Sequence, residues 1–131
     1  MKSRLFSPFW IGTLKLKNRI VMAPMGTNFA DNGGYVSSRL VDYLKRRAVG
    51  GTGLIYSEAV YVESRGVGRD KHLRIYGEEY LPGLRKLTEA LHREGGFIGV
   101  QLNHMGRETK KGFVGTTPVA PSAIPSPWGG D

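Results

Sequence analysis

The chain has 131 residues, of which 40% are hydrophobic and 23% charged, a balance typical of one globular domain with a hydrophobic core rather than of a disordered segment. It contains no cysteine, which excludes disulfide bonds and thiolate metal sites within these residues. No apolar run is as long as a signal-peptide core or a membrane span, so we predict a cytoplasmic protein with no membrane partner.

The formal net charge of +8 is compatible with nucleic acid, an anionic membrane surface or a phosphorylated small molecule as a partner, and it does not choose among them. Basic residues are dense only at Lys45-Arg46-Arg47 and at Lys110-Lys111, without the interleaved aromatic residues of a single-strand binding surface. We interpret both clusters as solvated surface and expect no nucleic-acid partner.

The beginning of the chain predicts a small β-hairpin. Residues 14–17 alternate between leucine and lysine, and Gly12-Thr13 before them is able to form a turn. We expect residues 1–18 to form a capping hairpin at the end of a larger sheet.

A buried strand is predicted from Arg19 to Ala23. Its apolar residues have no polar alternation, which is typical of a strand that is covered on both faces in a parallel sheet. Pro24 lacks an N–H and ends regular pairing, and Gly26 has no Cβ, so another group is able to approach the main chain there. These residues alone also fit a core strand followed by an ordinary loop.

The next segments repeat a strand-helix pattern over residues 19–102. A turn at Asp31-Asn32-Gly33-Gly34 precedes a helix that Ser37 or Ser38 caps. The remaining predicted elements are this helix through about Val49, a strand over Thr52–Val62, a glycine- and charge-rich loop over Glu63–Tyr76, a helix from Gly77 to about Arg93, and a strand over Phe97–Leu102.

Residues 103–131 contain no long periodic segment and predict a long loop after the third strand. Three strands with two helices cannot close a barrel, and such a small open sheet would expose its edges. We therefore predict an α/β fold that is the first part of a longer protein.

Ligands of such α/β proteins bind at the carboxyl ends of the strands. The strand ends predicted here are Ala23–Gly26, Glu58-Ala59 and Gln101–His104. Their small residues would let a flat ring lie against backbone, and the Gln101 amide offers both a donor and an acceptor. This combination suits a heteroaromatic ring such as a flavin or a nucleobase.

Single polar residues near these ends have their own predicted roles. Glu58 is expected to accept hydrogen bonds from the backbone of a neighbouring loop, and His104 to order the loop after the third strand. His72 and His92 are expected on a loop surface and a helix surface. Gln101 is costly to bury without a partner, so a ligand contact is at least as well supported as a structural one.

Several blocks of the sequence resemble successive motifs of the old yellow enzyme family of flavin-dependent oxidoreductases. They are Leu5-Phe6-Ser7-Pro8 with residues 18–25, Ser57-Glu58-Ala59, residues 101–107 and Pro121-Ser122-Ala123-Ile124. The blocks span nearly the whole chain in the family's order. The resemblance is nearest to the bacterial 2,4-dienoyl-CoA reductase and 2-enoate reductase branch.

This resemblance implies the N-terminal part of an FMN-binding TIM (β/α)8 barrel, with about three strand-helix units after the hairpin. In the family, NAD(P)H reduces the flavin, which then reduces an activated C=C bond. By position, Ala23, Pro24, Met25 and Gly26 would contact the flavin from the first strand, Ala59 from the second, and Gln101 would hydrogen-bond its pyrimidine part. Small-molecule substrates are the implied partners.

The resemblance also has gaps. Many relatives carry threonine or cysteine where this chain has Gly26, so flavin tuning would depend on backbone or on Thr27. The catalytic residues, the phosphate-binding strands and the cysteines of an iron–sulfur cluster would all lie beyond residue 131. We therefore expect an inactive fragment, a cluster only in a longer form, and a homo-oligomer or a completing chain. The alternative is a non-catalytic barrel fragment that associates with itself or with a partner.

Overall fold

A computed structural model describes residues 3–127. Five strands and three α-helices occur among these residues. The strands are β1 (Phe9–Ile11), β2 (Leu14–Leu16), β3 (Val21–Met22), β4 (Leu54–Tyr61) and β5 (Phe97–Asn103), and the helices are α1 (Ser38–Val49), α2 (Leu81–Arg93) and α3 (Lys111–Val114). Short 3-10 turns lie at Arg4–Phe6, Asn32–Gly34, Ser64–Gly66, Glu78–Tyr80 and Gly106–Glu108.

The predicted hairpin is confirmed. Strands β1 and β2 pair antiparallel with Trp10 opposite Lys15, and the turn between them contains Gly12 at a φ of +57°. A left-handed backbone conformation of this kind is most accessible to glycine. Leu16 is buried, whereas Trp10 stays 57% exposed.

Strand β3 is shorter and more exposed than the sequence suggests. Only Val21 and Met22 pair, and they pair with Leu54 and Ile55 of β4 on one side. The Ile20 N–H donates to the side chain of Asn18 at 3.0 Å, which explains why the ladder begins after it. Val21 is 48% exposed, so the face of the sheet from which it projects is not covered at this position, and the predicted coverage of both faces is wrong for these residues. Strand β3 is also an edge strand within residues 3–127.

Strands β3, β4 and β5 form a parallel sheet in that order. The register between β4 and β5 runs from Leu54–Phe97 to Tyr61–Asn103, with a shift after Tyr56. Tyr56 pairs with Gly99 and Ala59 with Gln101, so two residues of β4, Ser57 and Glu58, lie opposite one residue of β5. This is a β-bulge, a feature that redirects side chains and is common next to active sites.

Helix α1 follows the predicted pattern closely. Ser37 is its N-cap, and the hydroxyl oxygen accepts the N–H of Leu40 at 3.0 Å, as capping serines do. Helix α2 begins after the 3-10 turn Glu78–Tyr80, with Pro82 in its first turn, where a missing N–H is tolerated. Both helices end at the predicted glycine pairs, since Gly51 and Gly95 have positive φ.

The core lies between the two helices and one face of the parallel sheet. Helix α1 packs against α2, and both contribute leucines that are almost fully buried. The fully buried members are Leu40, Leu44, Ala48, Ile55, Val60, Leu73, Leu87 and Leu91. Both helices therefore cover the same face of the sheet.

The loop after β4 returns to the sheet. The Tyr61 N–H donates to the carbonyl of Leu73 at 2.9 Å, and the Ile75 N–H donates to that of Tyr61 at 3.0 Å. After β5, residues 104–127 contain only a 3-10 turn and the four-residue helix α3, in agreement with a predominantly irregular segment. In the part of the chain that the structure describes, no helix has the length and apolarity needed to span a membrane.

Candidate functional site

The three parallel strand ends come together as predicted. Ala59 and Gln101 are direct Cα partners across β4 and β5. The segment after β3 lies beside β4, because the Thr27 N–H donates to the Glu58 carboxyl group at 2.9 Å. All six sequence-predicted site residues therefore lie at or next to one end of one sheet.

The residues after β3 present small and exposed groups. Ala23 and Gly26 are exposed, Pro24 is half-buried, and Met25 is 58% exposed. The Met25 sulfur accepts a weak hydrogen bond from the Tyr43 hydroxyl of α1 at 3.9 Å, which links this segment to the helix behind it. An exposed apolar residue between small neighbours offers a surface on which a flat ring is able to lie.

Gln101 is exposed, which differs from the burial that the sequence suggested. Its side-chain amide makes no hydrogen bond to any of residues 3–127, so both of its polar atoms are available to a ligand. It lies beside half-buried Ala59, and Leu102 next to it is 65% exposed. A free amide beside a small residue fits the donor and acceptor pattern of a flavin pyrimidine edge.

Glu58 holds the loop after β3, as predicted. It is only 2% exposed, and one carboxyl oxygen accepts both the N–H and the hydroxyl of Thr27, at 2.9 and 2.7 Å. The other oxygen, Oε1, has no partner among the described residues. The Thr27 oxygen in turn accepts the Phe29 N–H at 3.2 Å, so its single proton is committed to Glu58.

His72 is not on the surface, in contrast to the prediction. Its side chain is only 6% exposed, and its ring stacks on Tyr61 with centroids 5.9 Å apart. Neither ring nitrogen has a partner within residues 3–127. Burial lowers the pKa of His72, the nearby Glu58 carboxyl group opposes this shift, and Arg69 adds to it.

The reason for the burial of His72 is a contact that is distant in sequence. Residues 73–75 hydrogen-bond to Tyr61, and this pairing draws His72 under the strand ends. A Cβ on Gly26 would lie 3.2 Å from Cε1 and Nε2 of the His72 ring. No periodicity or turn signal in the charge-rich loop indicated this contact. No sequence signal indicated the bulge at Ser57-Glu58 either.

His104 has the predicted structural role and a carboxylate partner that the sequence did not reveal. Its Nε2 lies 3.3 Å from Glu63 Oε2, and its Nδ1 accepts the N–H of Gly106 at 2.9 Å. A hydrogen bond from Arg65 is the main cause that lowers the pKa of Glu63. Since the Met105 N–H also donates to the Gly66 carbonyl at 3.0 Å, the loops after β4 and β5 are joined.

The family of the chain follows from a match to a protein-family model. Residues 4–127 match the model of the NADH:flavin oxidoreductase / NADH oxidase family. The chain belongs to this family. The resemblance noted in the sequence is confirmed, and the family's name identifies enzymes that pass electrons between a nicotinamide cofactor and a flavin.

Individual relatives agree with this assignment. The chain is 46% identical over 123 residues to an NADH oxidase of Thermoanaerobacter brockii, an alignment that covers 92% of the chain and 19% of the relative. It superposes on an old yellow enzyme homologue from Zymomonas mobilis with a TM-score of 0.88 and 35% identity, over 95% of the chain and 35% of the neighbour. A 2-naphthoyl-CoA reductase bound to 2-naphthoyl-CoA gives a TM-score of 0.86 at 33% identity, over 95% of the chain and 21% of the neighbour.

The chain corresponds to only part of each of these oxidoreductases. It spans roughly a fifth to a third of the length of the proteins that it matches. The predicted fold is confirmed in this sense: β3, α1, β4, α2 and β5 are part of an α/β barrel of the old yellow enzyme type. The domain boundaries at residues 18 and 102 stay a prediction.

Proposed function

We propose that this chain supplies part of the FMN site of an NAD(P)H-dependent ene-reductase. The observation that carries the proposal is the register of Ala59 with an exposed and unpartnered Gln101, next to the small residues that follow β3. Such a surface fits a flat heteroaromatic ring better than a bulky or strongly charged ligand. FMN, when bound, would carry hydride from NAD(P)H to the activated C=C bond of the substrate.

Each predicted site residue has a place in this proposal. Ala23, Pro24, Met25 and Gly26 would lie against the ring from the end of β3, and Ala59 would allow close approach from β4. Gln101 would hydrogen-bond the pyrimidine part, where donors stabilise the reduced and anionic ring. The Thr27 hydroxyl does not serve as a donor to the ring, since its proton goes to Glu58.

The proposed substrates are α,β-unsaturated carbonyl compounds or enoyl-CoA-like thioesters. A structural neighbour of this chain is a reductase that was solved with a coenzyme A thioester, 2-naphthoyl-CoA, which supports the thioester class. An NADH oxidase among the relatives supports a nicotinamide cofactor as the reductant. The chain has no cysteine, so ligands for an iron–sulfur cluster would come from outside residues 1–131.

We further propose that the 131-residue chain alone is not a competent enzyme. The six site residues reach only the ring of FMN, and the rest of a barrel would be needed to hold its phosphate and the substrate. We therefore expect weak FMN binding and no NAD(P)H oxidation by the isolated chain. A completing chain or a second copy is the proposed partner.

Fluorescence titration of FMN with the purified chain tests the site. We expect saturable binding that Ala59→Leu and Gln101→Ala each weaken about tenfold, through lost space and a lost hydrogen bond. Ala123→Leu adds the same bulk at an exposed position after β5 and is the matched control. Binding that is absent, or that Ala59→Leu and Gln101→Ala leave unchanged, would refute the proposed site.

The second candidate is a non-catalytic fragment that associates through its exposed apolar groups. Large apolar side chains on the 3-10 turn Arg4–Phe6, the hairpin, β3 and β5 are 48–66% exposed, which is unusual for a complete domain. They are Phe6, Trp10, Ile11, Val21 and Leu102. This candidate predicts a stable oligomer that retains no flavin, which light scattering and the visible absorption spectrum would reveal together.

A further inference from the structure

We propose that Glu58 and His72 are positioning residues that fix the Gly26-Thr27 segment from behind, so that its exposed side has one defined shape. The inference rests on the proposed function, because it assumes that this exposed side faces the flavin. It goes beyond that function by assigning two buried residues that would not touch the ligand.

Glu58 fixes Thr27 through two hydrogen bonds to the same oxygen, at 2.9 Å from the N–H and 2.7 Å from the hydroxyl. The bulge in β4 is what allows this contact. Ser57 and Glu58 are the two bulge residues, and both are buried, at 0% and 2% exposure. Without the extra residue, Ala59 would lose its register with Gln101.

His72 fixes Gly26 through shape. Its ring lies where a side chain on residue 26 would be, 3.2 Å from the position of the missing Cβ. Stacking on Tyr61 and the bonds of Leu73 and Ile75 to the same tyrosine hold the ring in place. Gly26 and His72 are therefore a complementary pair, in which one residue lacks the volume that the other supplies.

The polar atoms behind this segment point to a role in addition to stability. Glu58 Oε1 and both ring nitrogens of His72 are buried and have no partner within the described chain. Buried polar atoms of this kind are rare and costly, and an apolar residue of similar shape would avoid the cost. Three of them next to the two residues of one loop indicate that the loop's geometry is what they serve.

A double-mutant cycle tests the pair Gly26 and His72. We expect Gly26→Ala to weaken FMN binding about tenfold in the wild-type background, because the new Cβ displaces the segment away from the ring of His72. In the His72→Ala background the same change should cost less than about threefold, since the space is then open. An equal effect in both backgrounds would overturn this part of the proposal.

Hydrogen exchange of the Thr27 amide tests Glu58 without any flavin. Glu58→Ala should speed this exchange about tenfold or more, whereas Glu58→Gln, which keeps an acceptor oxygen, should hold it within about threefold of wild type. Glu89→Ala on the exposed side of α2 is the control, and thermal unfolding of every variant separates local from global loosening. Equal exchange in wild type and Glu58→Ala would refute the role of Glu58.

These readouts separate the two proposals. If the wild-type chain binds no FMN, the proposed function fails, and Thr27 exchange still decides the positioning role of Glu58. If Glu58→Ala does not fold, two other measurements decide: the exchange rate of the Thr27 amide in Glu58→Gln, and the double-mutant cycle of Gly26 and His72. If the chain binds no FMN, that cycle is measured by exchange of the Thr27 amide instead of by FMN affinity. Slow exchange in Glu58→Gln and a background-dependent effect of Gly26→Ala support the inference, and their absence overturns it.

Discussion

Both hydrogen-bond donors of Thr27, the backbone N–H and the hydroxyl, reach one oxygen of the Glu58 carboxyl group, at 2.9 and 2.7 Å. This relationship joins the loop after β3 to the bulge of β4 across 31 residues of sequence. It also removes the only side-chain hydroxyl next to Gly26 from the set of donors that a ligand could use. Stability and the proposed ligand contacts therefore depend on the same two residues.

Thr27→Val tests the energetic value of this hydroxyl. The substitution removes the bond to Glu58 and the acceptor of the Phe29 N–H, while the Thr27 amide bond stays. We expect the free energy of unfolding, measured by urea denaturation, to fall by about 1–3 kcal/mol. Thr88→Val is the control, because its hydroxyl bonds only to the Leu84 carbonyl one turn earlier in α2, and it should change the value by less than about 0.5 kcal/mol. Equal losses for Thr27→Val and Thr88→Val would show that the Thr27 hydroxyl stabilises the chain no more than an ordinary helix hydroxyl.

Gly34→Ala tests how tightly the two loops near the site are packed. Gly34 has a φ of +80°, and an added Cβ would lie 2.7 Å from the carbonyl oxygen of His72 and 2.4 Å from Cγ of Arg74. Strain and collision together should lower the free energy of unfolding by about 3 kcal/mol or more. Gly115→Ala has a similar φ of +71° with no atom within 4 Å, so it should lose only about 1 kcal/mol. If both variants lose the same amount, the packing of Gly34 against residues 72–74 is not as described.

Local signals in the sequence were sufficient for α1, the hairpin and the ends of both long helices. Ser37, Gly12 and the glycine pairs act through their own backbone geometry, which neighbouring residues alone determine. Strand β3 was predicted too long, because the Asn18 side chain takes the Ile20 N–H from the ladder. That bond depends on the orientation of the Asn18 side chain, which is held by a tertiary contact: its amide also donates to the Gly51 carbonyl at 2.7 Å, 33 residues away.

The candidate site also has a part that the sequence predicts and a part that it does not. The residues that end strands, such as Ala59 and Gln101, could be placed from the strand pattern because parallel strands bring their carboxyl ends together. The burial of His72 could not, since it depends on Leu73 and Ile75 pairing with Tyr61. The loop that carries them is rich in glycine and charge and has no periodicity from which that pairing could be inferred.

Ser37→Ala tests the connection between α1 and the loop after β3. The Ser37 oxygen accepts the Leu40 N–H at 3.0 Å, and its hydroxyl donates to the Phe29 carbonyl. Losing both should lower the free energy of unfolding by about 1–2 kcal/mol. Ser38→Ala changes an exposed hydroxyl one residue later and should stay within about 0.5 kcal/mol of wild type. A larger loss of unfolding free energy for Ser38→Ala than for Ser37→Ala would show that Ser37 is not the N-cap.

His72 should make the stability of the chain depend on pH. Burial lowers the pKa of His72 below 6.5, so between that lowered pKa and 6.5 the unfolded chain binds a proton that the folded chain does not. Since stability rises with pH wherever the unfolded state binds more protons, the contribution of His72 is complete above pH 6.5 and is lost as pH falls through this window, by up to about 1.4 kcal/mol per pH unit. Urea denaturation of wild type and His72→Phe from pH 7.5 to 5 measures the difference. The variant should lose this part of the slope, whereas His92→Phe on the exposed face of α2 should retain it. Parallel curves for wild type and His72→Phe would show that His72 is protonated equally in the folded and unfolded chains.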